Sequence, residues 1–239
     1  KVRGLIVADS FVCPQELSEG WEKLKKKVED GEDLTPNLSK LINRLDNKDS
    51  MLNDWGVYHF HLGKKMKGSF TERTGPLLFA LLNGNSFYAI GIFDHGSWAN
   101  QDIVEIIHRN WPTVIENYRL RDALEMSHSF TEKERLILRS KGANMFTSVN
   151  DGTIYAPMGG GVAGSRFNTQ AVMRNITQKT RLEELERYLD HELDSMQEMF
   201  EERGYDGDLE VEAKLIITET QYKADFQKYG ITVILLSNL

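Results

Sequence analysis

Two imidazoles separated by one residue, His59-Phe60-His61, are the first side chains in this chain whose types and spacing could do chemistry. On a strand, with its period of two, both rings leave one face while Tyr58, Phe60 and Leu62 take the other, so the histidine face is read as polar. Histidine titrates near neutrality, so the pair can pass protons, or can ligate zinc with a third ligand from His95 or Asp94. Lys64, Lys65, Lys67 and Arg73 follow the strand, and His95 stands at the end of a later apolar run. Cations beside histidines suit a phosphate, because arginine offers a planar fork to its oxygens and the imidazoles can act as general acid and base. No His-Glu-x-x-His helix, cysteine pair or clustered carboxylates accompany the histidines, so the expected site uses no cofactor or metal. Metal-dependent hydrolysis at His59 and His61 is kept as an alternative, beside two plain surface histidines.

A second motif, Gly159-Gly160-Gly161-Val162-Ala163-Gly164, satisfies G-x-G-x-x-G between a short strand and a helix. There it could cradle a pyrophosphate, with Ser165 and Arg166 assisting. The segment before it is too polar and too broken by proline for a buried parallel strand, which favours a plain loop. His108, His128 and His191 read as structural or surface residues, and Trp55, Trp98 and Trp111 as core anchors.

The elements that must position these residues follow from periodicity. Residues 2–12 are rich in β-branched side chains and read as a strand. Leu17, Trp21, Leu24 and Val28 make residues 15–30 an amphipathic helix. Thr35 and Pro36 are read as N-cap and first residue of another helix, with Leu38, Leu41, Ile42 and Leu45 as its stripe, and residues 47–54 as a polar loop. Three apolar runs, 55–62, 76–82 and 87–93, predict an antiparallel meander whose last two strands are joined at Asn83-Gly84-Asn85-Ser86. A helix over 100–111 is expected to stop at Pro112. Thr131 and Glu134 form a capping box, and residues 153–157 an edge strand. Leu182, Leu185, Leu189, Leu193, Met196 and Phe200 mark a long helix ended by Gly204, and strands over 209–218 and 230–236 close the chain.

These elements predict an α+β protein: N-terminal helices, a central antiparallel meander sheet, and a long acidic C-terminal helix packed on a small sheet. The division is placed near Pro112, giving regions 1–112 and 113–239, which could also form one continuous domain. The 239 residues, 40% hydrophobic and 27% charged, exclude a disordered or fibrous chain. No apolar run reaches the length of a membrane span, and the first eleven residues lack a signal-peptide pattern. With Cys13 as the single cysteine, the expected compartment is cytoplasmic. Residues 183–212 hold thirteen carboxylates against Arg187 and Arg203, a local −11 inside a net −7, so the remainder is mildly positive. The acidic segment is a candidate surface for a protein partner, and a non-enzymatic interaction protein is the alternative to an enzyme.

The stretch from GVYHFHLG through RTGPLLFALLNGNSFYAIGIFDHGSW, residues 56–98, resembles the strand core of the RelE and YoeB type of ribonuclease toxin, within the barnase-EndoU-colicin-RelE fold. The likeness lies in the order of strands and their polar endings and covers under a fifth of the chain. It implies metal-independent RNA cleavage of toxin or defence type. His59 or His61 would work with His95 as acid and base, Arg73 would clamp the phosphate, and Lys64, Lys65 and Lys67 would hold the RNA backbone.

Overall fold

The computed structural model describes residues 1–239 apart from 45–47, 122, 124–125, 208–210, 219–220 and 238–239. In chain order the strands are β1 (Gly4–Val7), β2 (Val57–Phe60), β3 (Met66–Lys67), β4 (Phe70–Thr71), β5 (Leu77–Leu82), β6 (Ser86–Phe93), β7 (Thr147–Ser148), β8 (Ile154–Tyr155), β9 (Lys214–Ile217), β10 (Gln221–Phe226) and β11 (Ile231–Ser237). The helices are α1 (Ser18–Asp30), α2 (Ser50–Trp55), α3 (Asp102–Asn110), α4 (Pro112–Ile115), α5 (Glu132–Ser140) and α6 (Thr169–Glu201). The chain is α+β, and among its described residues no helix is long and apolar enough to cross a membrane. It divides into two compact units, Lys1–Val172 and Met173–Leu239.

The first unit is built on a four-stranded sheet in the order β1-β6-β5-β2. β2, β5 and β6 run antiparallel, as the three apolar runs predict, and β1 adds a parallel edge beside β6. β5 (LLFALL) is buried over its first five residues because it lies inside the sheet with both faces covered. On one face, Leu17, Trp21, Leu24 and Val28 meet Phe60, Leu62, Leu78, Ala80, Phe87 and Ala89. On the other, Met51 and Trp55 of α2 and Ile103, Val104 and Ile107 of α3 meet Val57, Leu77, Phe79, Leu81 and Ile90. Gly20 lets α1 approach this closely, since a Cβ there would stand 1.8 Å from the Leu62 carbonyl oxygen.

Several local expectations are corrected. The N-terminal strand is only Gly4–Val7. The region from Thr35 forms two separate 3-10 turns, Thr35–Asn37 and Lys40–Asn43, with Leu34 rather than Thr35 in the capping position of the first. Leu45, the last of the expected stripe, lies outside the described residues. The expected polar loop over 47–54 contains α2, capped by Asp49 and closed by Gly56 at φ 72°. Pro112 ends α3 but occupies the first turn of α4, so no boundary falls there. Ile115, Val149, Tyr155 and Met158 all enter the first core, which is why the division lies at residue 172 and not near 112. The Thr131–Glu134 capping box is present with both of its bonds.

In the second unit, Leu185 and Phe200 of α6 share a core with Tyr222, Phe226, Tyr229, Ile231 and Leu235. The sheet there has three strands in the order β11-β10-β9, with β10 as an additional central strand, and Leu182 is exposed rather than buried. Residues 209 and 210 of the expected strand over 209–218 lie outside the described residues.

Candidate functional site

His59 sits on β2 and His61 just beyond it, and their alternation with Phe60 is as expected, since Phe60 and Leu62 join the core facing α1. The histidine face is not polar, however. Val57 on the same face is fully buried, and only the end of the strand opens into a cavity of about 490 Å³. That cavity is lined by His59, His61, Arg73, His95 and Trp98, together with Lys48, Asp49, Met51, Thr74 and Leu77. All four side chains expected to carry chemistry thus reach one cleft from three places: β2, the segment entering β5, and the turn after β6.

The two rings at its centre rest on Trp98. His59 lies 4.9 Å from the Trp98 ring and His95 lies 5.1 Å from it, edge-on. Trp98 also stacks on Phe79 at 5.7 Å, so its role as a core anchor is combined with carrying both histidines. His59 Nδ1 faces Asp49 Oδ2 at 3.5 Å. Asp49 is held in that place because its other oxygen caps α2, accepting from Leu52 N at 2.9 Å. Burial pushes the His59 imidazole below its usual range; Asp49 opposes that shift and His95 adds to it.

His61 is buried and tied down on several sides. Its backbone N–H donates to Asn37 O, its carbonyl accepts from Asn37 Nδ2, and its Nδ1 accepts from Thr74 N at 3.2 Å. With Nδ1 used as an acceptor, the ring proton resides on Nε2. Burial first, then the positive charge of Arg73, lowers its pKa to about 4. In the unfolded chain the same imidazole titrates near 6.5, so between those values the unfolded state takes up a proton that the folded state refuses. Stability is therefore expected to fall by about 1.5 kcal/mol between pH 6.5 and pH 5. Urea midpoints followed by tryptophan fluorescence should show the fall and should show it flattened in His61→Gln; equal midpoints at the two pH values in the parent would refute it.

Three features lie elsewhere or were missed. Lys64 and Lys65 line a different groove, beside Lys23, Lys26 and Lys27 of α1, and Lys67 lies on β3, so these lysines do not share the histidine cleft. The glycine-rich loop is no amide cradle. Gly159 N and Gly161 N donate to the carbonyls of Asp54 and Asn53, Gly160 N to Pro157 O, and Val162 N to Asn144 Oδ1. A Cβ on Gly159 would stand 1.9 Å from Leu52 O, so this glycine serves the packing of the loop on α2. Asp49 escaped sequence reasoning, though an Asp-Ser pair six residues before Trp55-Gly56 is a legible helix start.

Behind the cleft, α2 is fastened by buried charge. Asp54 Oδ2 accepts from Arg135 Nη1 at 3.0 Å and from Arg139 Nε at 2.9 Å, both arginines coming from α5. Arg139 Nη1 also donates to Trp98 O, and both guanidiniums lie over the Trp55 ring, at 4.2 Å for Arg139 and 5.2 Å for Arg135. Burial pushes Arg139 below its usual pKa and Asp54 pulls it back. Among the described residues, no group of three or more His, Cys, Asp or Glu side chains is placed to hold a metal ion. Comparisons of the chain with family models, curated proteins and solved structures give no match.

Proposed function

We propose that the protein is a metal-independent endoribonuclease acting at the cleft of His59, His61, Arg73 and His95. The observation that carries this reading is the meeting of two differently placed imidazoles and an arginine in one cavity large enough for a nucleotide unit. In the reaction, the ribose 2′-hydroxyl attacks the adjacent phosphorus. One imidazole takes the hydroxyl proton and another protonates the departing 5′-oxygen, leaving a 2′,3′-cyclic phosphate and a 5′-hydroxyl.

His59 suits the base, since burial keeps it neutral near pH 7, and His95, exposed at the mouth, is the acid. Arg73, also exposed at the mouth, offers its fork to the phosphorane oxygens as negative charge builds there. His61 holds Thr74 and so the segment bearing Arg73, with its Nε2–H left as a neutral donor. A toxin or defence setting follows only from the resemblance over residues 56–98.

The test is cleavage of an end-labelled RNA in excess EDTA, with the same sequence as DNA alongside. Cleavage of RNA alone, with a cyclic phosphate end, is the expected result. An inactive wild type, or turnover that appears only after zinc is added, would overturn the reading.

A further inference from the structure

Lys48 and Ser50 line not only the histidine cleft but also a second cavity of about 260 Å³, whose other walls include Arg139, Ser140, Asn144 and Arg166. The charge balance of this second cavity is uneven. Two buried guanidiniums, Arg135 and Arg139, pair with the one carboxylate of Asp54, and the charge of Asp49 reaches Arg139 only at longer range, so among the described residues the guanidiniums outnumber the carboxylates bonded to them. Lys48 and Arg166 add two more at the rim, and Asp54 is the one acidic side chain among the described residues that line the cavity. A buried surplus of positive charge is unfavourable by itself and is relieved when an anion enters.

The loop carrying Arg166 is shaped for this. Arg166 is the one non-glycine residue in the left-handed region among those described, at φ 64°. A short turn holds it there, with Arg166 N donating to Ala163 O and Ala163 N to Phe167 O, both at 2.8 Å. Its stem lies over Gly142, where a Cβ would come within 3.5 Å of Arg166 Cγ. Such a conformation persists only where the surroundings enforce it, and here it sets a guanidinium at the wall of a cationic cavity. Lys48 Nζ lies 5.2 Å from the Phe167 ring on the same turn, so both rim cations are held by the segment that follows the glycine-rich loop.

We infer that this cavity binds a second backbone phosphate of the single-stranded RNA whose scissile phosphate occupies the histidine cleft, with Lys48 between the two. The inference rests on the ribonuclease reading for the identity of the anion. It also explains the glycine-rich segment, whose amides are spent on α2, Pro157 and Asn144 while its C-terminal end delivers Arg166.

The experiment is fluorescence anisotropy of a labelled 2′-O-methyl oligoribonucleotide, which binds but cannot be cleaved, titrated with the full chain across a sodium chloride series. Arg166→Gln should weaken binding about fivefold to tenfold at low salt and should reduce the slope of log affinity against log salt by about 0.7, the value for one phosphate contact on a single strand. Arg166→Glu should weaken it further, and Arg166→Lys should retain most of the affinity. Parent-like binding by Arg166→Glu would overturn the site even if the wild type cleaves RNA. A loss of binding in Arg166→Glu with rescue in Arg166→Lys would support the site even if no cleavage were found, which separates this outcome from failure of the ribonuclease reading.

Discussion

Replacing Asp54 by alanine is expected to destabilise the first unit by about 3–5 kcal/mol, the cost of leaving buried cations without their counter-charge. Asp54 is 6% exposed, its partners Arg135 and Arg139 are 3% and 7% exposed, and no other carboxylate bonds to either guanidinium among the described residues. Deleting the carboxylate therefore strands two charges in a medium that screens them poorly. All four tryptophans, Trp21, Trp55, Trp98 and Trp111, lie in this unit, so urea unfolding followed by their fluorescence reads the effect directly. Adding Arg135→Met and Arg139→Met to Asp54→Ala should regain much of the loss, because it is the unpaired charge and not the missing carboxylate that is unfavourable. A loss below about 1 kcal/mol in the single variant would mean that water reaches the guanidiniums. The cleft depends on the same fastening. α2 carries Asp54 at one end and Met51 near the other, with Asp49 as its cap, so loosening the ion triad releases the carboxylate that faces His59.

The contrast between what could be read from the sequence and what could not has physical causes. The meander was legible because β2, β5 and β6 are apolar runs bounded by turn residues, and Asn83 closes the β5–β6 turn by accepting from the N–H groups of Asn85 and Ser86. The His59/His61 face was legible because alternation on a strand is a local rule. The burial of that face was not, since it comes from α2 and Trp98, which meet the strand only in the folded chain. α2 is six residues long, too short for a helical period to declare itself. β10 carried its period of two plainly, with Tyr222, Ala224 and Phe226 buried between Lys223 and Asp225, but the charged alternates disguised it. Nearness in sequence groups the lysines after β2 with the histidines, whereas the β3–β4 excursion takes Lys67 away and Lys64 and Lys65 turn toward α1. The Asp54–Arg135–Arg139 triad spans 85 residues, a separation at which no spacing rule operates.

The largest expected effect on activity belongs to His59. If it is the base, His59→Ala should lower kcat for RNA cleavage by about 10²–10⁴-fold, the usual worth of a positioned proton acceptor. That corresponds to about 3–5 kcal/mol of barrier. The pH profile carries the finer test. A base must be unprotonated to act, and burial holds His59 below the ordinary histidine range, so the acidic limb of kcat/KM should fall below pH 6.5. Asp49 pulls the other way, raising the His59 pKa through its charge. Asp49→Asn, which keeps an acceptor oxygen for the cap of α2, should therefore move the acidic limb to still lower pH. A variant that merely loosened the fold would lower the rate without displacing the limb in that direction. His61→Gln should reduce the rate far less than His59→Ala, since His61 acts through Thr74 and the segment bearing Arg73 rather than on the reacting proton. Equal losses at the two histidines, or an acidic limb that ignores Asp49, would take the base role away from His59 and return it to the pair as a whole.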